Sequence, residues 1–197
     1  MARPVEFDRT DALEAAMRLF WIQGYQATSL PGLLDAMGIG RSSFYAAFGG
    51  KRSLFVEAVG LFSARTREIL MGPSEAEAGL EIIGRFFRET MIDAPRRRVI
   101  RGCLMVNTVL EMAEADEELS CFAAEELARV ERIFERCFDR AQRAGEYPSQ
   151  RSTSDLAAHA MVLNQGLRVA SRKRVPRSKL KQSVEIGLSL LGLPTTD

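Results

Sequence analysis

Apolar residues recur at intervals of three and four along almost the whole chain. Alternating Val/Ile/Thr runs bounded by turn pairs are almost absent, so the pattern predicts an all-α protein. The first stripe is Leu13, Ala16, Met17 and Phe20, with Asp8 placed to cap its start and Gly24 to stop it. The second is Leu30, Leu33, Leu34 and Met37. Thr28 or Ser29 can cap it, Pro31 falls in its first turn where a missing N–H costs little, and Gly38 ends it. A third, short segment runs from about Gly40 to Phe48 and is closed by Gly49 and Gly50. A fourth starts near Lys51 and carries Leu54, Phe55, Ala58, Leu61 and Phe62.

After residues 71–74 the predicted helices lengthen. One covers about 75–92, with Leu80, Ile83, Phe87 and Met91 on its face, and "DAPRRR" interrupts it. The next covers about 98–114. A long helix over about 116–144 keeps Leu119, Phe122, Leu127, Val130, Phe134, Phe138 and Ala141 in register, with Gly145 and Pro148 at its end. Ser152 or Thr153 opens a helix that runs to Arg172, and Pro176 opens a last one with Leu180, Val184, Leu188 and Leu191 on one side. The total is about nine helices, without repeats or low-complexity tracts.

A chain of 197 residues has room for one or two domains, and 46% apolar with 27% charged residues is ordinary for a globular protein. The net charge of +1 leaves partners open, so any nucleic-acid argument must come from local charge. No apolar run approaches a membrane span, and "MARPVEFDRT" lacks the apolar core of a secretory signal. Cys103, Cys121 and Cys137 are widely spaced and His159 is the one histidine, which argues against a disulfide scaffold or a zinc site. No metal or other cofactor is expected. "FGGKRS" lacks the upstream glycine and strand of a phosphate-binding loop, no HExxH spacing occurs, and no third group would orient a Cys103–His159 pair. The expectation is therefore a protein without catalytic residues.

The stretch "GIGRSSFYAAFGGK", residues 38–51, carries the most chemistry. On a helix, Phe44 and Phe48 fall on one side, with Ile39 of the preceding turn plugging the same small core. Ser42 and Ala46 fall opposite, flanked by Ser43 and Tyr45. A small, hydroxylated face lets a helix sink into a major groove, where serine bonds base edges and an alanine methyl packs on a thymine methyl. Tyr45 and Lys51 suit phosphate oxygens. From Met37 to Leu54 the only charges are Arg41, Lys51 and Arg52, a local positive excess that the whole-chain balance hides. Periodicity and charge alone fit equally an ordinary surface helix that never meets DNA.

Residues 7–59 resemble the N-terminal domain of the TetR family of transcriptional regulators. The shared features are the A-x-x-L-F and G-Y-x-x-T-S spacings, the "AMGI" turn, and F-Y-x-x-F-x-x-K. "RGCLMVNTVLE" (101–111) and "NQGLRVASRK" (164–173) look like stretches from one branch of that family. The resemblance implies a three-helix helix-turn-helix DNA-binding domain over residues 1–52. A larger helical ligand-binding and dimerisation domain would follow over 53–197. It implies a cytoplasmic, homodimeric repressor on a palindromic operator of double-stranded DNA, released by a small-molecule effector. By position, Thr28, Tyr45 and Lys51 would touch phosphates, while Arg41, Ser42, Ser43 and Ala46 would face the groove. Gly40 stands where members often carry a capping serine or threonine, so a phosphate-facing hydroxyl is missing there.

Dimerisation is expected through the last two helices, where Gly166 and Gly187 would allow close approach. An effector pocket is expected among the helices between residues 75 and 172, because pockets place few polar groups on an apolar lining. Candidate polar contacts are Asn107, His159, Asn164 and Gln165. Phe62, Phe87, Met91 and Met105 are candidate walls. Each polar candidate also fits a satisfied core or surface group, and each apolar one plain core. Cys103, on a stripe with Val99, Val106 and Leu110, is a further candidate. Buried, its thiol would be inert; exposed beside Arg96, Arg97, Arg98 and Arg101, it would favour a thiolate. That leaves a thiol- or electrophile-sensing regulator as a second reading. A helical interaction module without DNA binding is a third.

Overall fold

The computed structural model describes residues 7–71, 78–147 and 150–194. Its helices are α1 (Arg9–Gln23), α2 (Leu30–Met37), α3 (Arg41–Phe48), α4 (Lys51–Met71), α5 (Gly79–Phe87), α6 (Arg96–Val99), α7 (Leu104–Met112), α8 (Glu117–Arg143), α9 (Thr153–Arg172) and α10 (Arg177–Leu190). Among the described residues there is no strand.

Local chemistry sets most of the boundaries. The Asp8 carboxylate accepts the N–H groups of Thr10 and Asp11 and caps α1. Ser29 rather than Thr28 caps α2, its hydroxyl accepting Gly32 N–H at 3.2 Å. Asp116 and Ser152 cap α8 and α9 in the same way. Gly38 closes α2 in the left-handed conformation (φ 65°), where a side chain would be strained, and so lets α3 leave at a sharp angle.

The helix-turn-helix core is small and closed. Ile39, Phe44 and Phe48 are buried against α1 and α4 with Leu33, Met37 and Leu54. Phe20 meets Phe55 edge-on at 4.9 Å between ring centroids, which fastens α1 to α4. α4 runs through residues 52 and 53 without a break and continues into the larger bundle. There Phe86, Phe87, Phe134 and Phe138 are fully buried, and Phe86 packs edge-on against Phe134 at 5.4 Å.

Two predicted helices differ. The α-helix expected over 75–92 is regular only from Gly79 to Phe87 and loosens into a π-helical turn over Arg88–Ile92; residues 72–77 lie outside the described ones. The helix expected over 98–114 is split. Gly102 takes φ 71°, and a Cβ there would come within 3.3–3.4 Å of Arg172 and the Arg168 carbonyl. α9 passes at that point, so the chain turns, and Cys103 becomes the extended residue that starts α7. Pro148, expected to end the long helix, is outside the described residues; Gly145 ends it with φ 74°.

Candidate nucleic-acid interface

The two sides of α3 separate as their residue types demand. Phe44 and Phe48 hold the helix from behind. Arg41, Ser42, Tyr45 and Ala46 are exposed on the other side and Ser43 is half-buried beside them. Tyr45 is 49% exposed, with its ring edge-on to Phe44 at 5.2 Å, so its hydroxyl end is free to reach outward. Arg41 has no ion pair among the described residues. Gly40 caps α3 through its backbone with no side-chain hydrogen bond, and a Cβ there would meet nothing within 4 Å. The start of α3 therefore presents unpaired amides in open space, the usual surroundings for a phosphate oxygen.

The remaining candidates in this region are placed differently. Thr28 is 1% exposed, and its hydroxyl donates to the Gly24 carbonyl at 2.6 Å. It holds the turn between α1 and α2 and has no surface left for a phosphate, which corrects the expected contact. Lys51 is half-buried, its Nζ 4.5 Å from the centre of the Tyr25 ring. Burial lowers its ammonium pKa and the Glu111 carboxylate opposes that shift. Arg52 is exposed but not free. It donates to Glu118 at 2.7 Å and to Asp116 at 3.3 Å, joining the start of α4 to the start of α8. The Leu119 N–H and Arg52 hold the Asp116 carboxyl below the usual range.

A second link joins the same two parts. Glu111, near the end of α7, accepts the backbone N–H groups of Tyr25 at 3.0 Å and Gln26 at 2.8 Å. These are orphan donors of the α1–α2 turn, satisfied by a carboxylate from the larger bundle.

Beside that link lies an open groove of about 600 Å³ between the end of α1, α7 and α9. Asn107 lines it, with its amide donating to the Arg101 carbonyl at 3.0 Å. Behind it a chamber of about 20 Å³ is lined by Phe62, Cys103, Met105 and Asn164. The structure does not bring the other candidates there. Phe87 is core, stacked on Phe134. Met91 borders a separate small cleft under α10. Gln165 lines a separate open cleft of about 280 Å³ between α7 and α8. His159 is exposed on α9 because its position falls opposite the buried stripe of Leu156, Ala160 and Met161. Leu110, expected beside Cys103, is 68% exposed. Cys103 and Cys137 are buried and Cys121 is exposed. Burial pushes the Cys103 thiol pKa up, against the pull of Arg168.

Residues 12–58 match the family described as bacterial regulatory proteins of the tetR family, and residues 79–183 match the tetracyclin repressor-like C-terminal domain. The chain belongs to the TetR family. It is a DNA-binding transcriptional regulator, as the family is, rather than an enzyme. Among its relatives is the HTH-type transcriptional regulator YezE of Bacillus subtilis, 30% identical over 97% of this chain and 100% of that one. The HTH-type transcriptional repressor ComR of Escherichia coli is 28% identical over 91% of this chain and 87% of that one. Among solved structures, a cysteine-substituted form of the TetR family regulator CifR, complexed with a 26-base-pair double-strand operator, superposes with a TM-score of 0.81. It is 32% identical over 98% of this chain and 100% of that chain.

In this TetR-family chain, sequence reasoning passed over Glu111, Tyr25, Trp21 and Arg168. Arg168 left a visible trace: it is a charge on the buried stripe of α9, one turn after Asn164. Glu111 and Tyr25 left none, because their contact spans 86 positions.

Proposed function

We propose that the protein is a homodimeric repressor that sets α3 of each copy into a palindromic operator and is released by a small-molecule effector. The observation that carries this is the exposure of Ser42 and Ala46 opposite buried Phe44 and Phe48. Arg41, Ser42, Ser43 and Ala46 face the groove, Ser42 and Ala46 towards the bases and Arg41 towards a phosphate at its edge; Tyr45, Lys51 and the open amides after Gly40 meet phosphates. Repression is what the names of relatives such as ComR support. Residues 1–52 form the DNA-reading part and 53–197 the sensing and pairing part, with α4 crossing between them. The site of action is the cytoplasm.

Pairing uses α9 and α10. Val162 and Val169 on α9 and Ile186 and Leu190 on α10 are exposed apolar residues, a pattern that favours burial against a second copy. Gly166 lies on the same face of α9 with nothing within 4 Å of a Cβ, which lets a partner helix approach. Gly187 has another use: a Cβ there would strike Leu163, so it seats α10 on α9 within one copy.

The effector occupies the groove between α1, α7 and α9. A ligand there lies against the element that Glu111 holds, so it can shift α1 and α2 relative to the bundle. Thiol sensing is the weaker reading, because Cys103 is buried with a raised pKa.

The test is binding to DNA upstream of the protein's own gene and to a scrambled sequence, at two salt concentrations. The proposal expects specific binding with a steep salt slope and a symmetric footprint. Equal affinity for the scrambled DNA refutes it.

A further inference from the structure

Arg168 is 8% exposed, and its guanidinium has poor company. It reaches Asn164 Oδ1 at 3.3 Å and the Thr90 carbonyl at 3.4 Å, both long contacts, and among the described residues no carboxylate pairs with it. An arginine stays charged when buried, so the missing counter-charge is a standing cost. Trp21, also 8% exposed, has a buried indole Nε1–H with no hydrogen-bond partner among the described residues. Buried donors are rarely left so unless something else fills the place.

The unpartnered indole and the guanidinium without a counter-charge stand together. Trp21 and Arg168 line both the open groove and the small chamber behind it. The chamber's lining adds Arg98 and contains no carboxylate. The groove's lining adds Arg172 and Lys173, and its one carboxylate is Glu111, already taken by the amides of Tyr25 and Gln26. Cys103 supplies no counter-charge, since burial holds its thiol in the neutral form. The groove also offers apolar wall from Leu104 and Val106. Its volume of about 600 Å³ suits a small organic molecule.

We propose that Arg168 and Trp21 anchor an anion-selective site, which takes a small organic acid with its carboxylate on the guanidinium and the indole N–H and its apolar body along the groove. Planar carboxylate and guanidinium match two donors to two acceptors. The proposal rests on the effector reading above and names the chemical class of that effector.

Trp21 is the chain's one tryptophan, so its emission reports on the site directly. Purified full-length protein without DNA is titrated with phenylacetate and, at equal ionic strength, with phenylacetamide. A saturable change with the acid and at least tenfold weaker binding of the amide are expected. Arg168→Met should weaken the acid at least tenfold and leave the amide unchanged. Equal binding of acid and amide overturns the proposal, as does the lack of a saturable response to phenylacetate, benzoate and hexanoate alike. The acid–amide comparison on wild type decides the matter if Arg168→Met does not fold. Release of labelled operator is measured separately. Acids that bind without releasing DNA uphold the site and remove the effector role. Release by uncharged compounds, with no acid binding, upholds the effector role and overturns this site.

Discussion

Glu111 and Tyr25 lie 86 positions apart, yet the Glu111 carboxylate accepts the Tyr25 backbone N–H at 3.0 Å and the Gln26 N–H beside it. The larger bundle thereby caps the turn that orients the helix-turn-helix. Hydrogen bonds to an ionised, half-buried carboxylate are stronger than neutral ones, and deleting the acceptor strands two amides. Glu111→Ala should cost about 1–3 kcal/mol in urea unfolding. Amide exchange at Tyr25 and Gln26 should speed up more than in the core of α8. Unchanged exchange at both amides would show that the turn holds itself.

Arg41 and Arg52 look alike in sequence and differ in surroundings. Among the described residues Arg41 has no ion pair, whereas Arg52 is held by Asp116 and Glu118. Arg41→Ala should lower the slope of log affinity against log salt by about one. Arg52→Ala should leave that slope nearly unchanged and instead lower the melting temperature slightly. The link should also fade in acid. The Asp116 pKa is depressed in the folded state, so its contribution is present above the ordinary aspartate value and is lost as pH falls through the depressed one. Equal flattening by both substitutions would show that Arg52 leaves its acids for the phosphates.

Val162 is 63% exposed on α9, one turn from Gly166. A charge there would be buried without a partner in a paired α9–α10 face. Val162→Glu should yield a monomer in sedimentation equilibrium at micromolar concentration, with helical circular dichroism retained. A dimer of unchanged affinity would move the interface elsewhere.

The cysteines should separate by reactivity. Cys121 should react with an aromatic disulfide reagent within the mixing time, and Cys103 and Cys137 only on unfolding. The raised Cys103 pKa means that the folded chain keeps this proton to higher pH than the unfolded one. Its effect on stability is therefore fully favourable below the ordinary thiol value of about 8.5 and erodes as pH rises above it, by at most about 1.4 kcal/mol per pH unit. Cys103→Ala should remove that part of the alkaline slope. Equal slopes in wild type and variant would place the thiol in water.

What could be read from the chain was local. Asp8, Ser29, Gly38 and Gly49 cap or close helices through contacts within a few residues, and their types show it. The split of α3 into Phe44 and Phe48 on one side and Ser42 and Ala46 on the other follows from helical period alone. The break at Gly102 was hidden because α9, seventy positions later, forces it. Arg52 counted as a free charge until α8 brought Asp116 to it. His159 fell out of the cavity because it lies off the buried stripe of α9, and Phe87 for a different reason. A stripe says which side is buried, but not whether a core or a cavity lies there.

The central claim is that the outward side of α3 reads bases, and the measurement closest to it is a selection of operators from a randomised pool by wild type and by Ser42→Ala. Wild type should select a palindrome. The variant should select the same palindrome with preference relaxed at one symmetry-related pair of positions, by about 1–3 kcal/mol. An identical motif from both proteins, with affinity lowered evenly across all sequences, would mean that Ser42 never reaches a base edge.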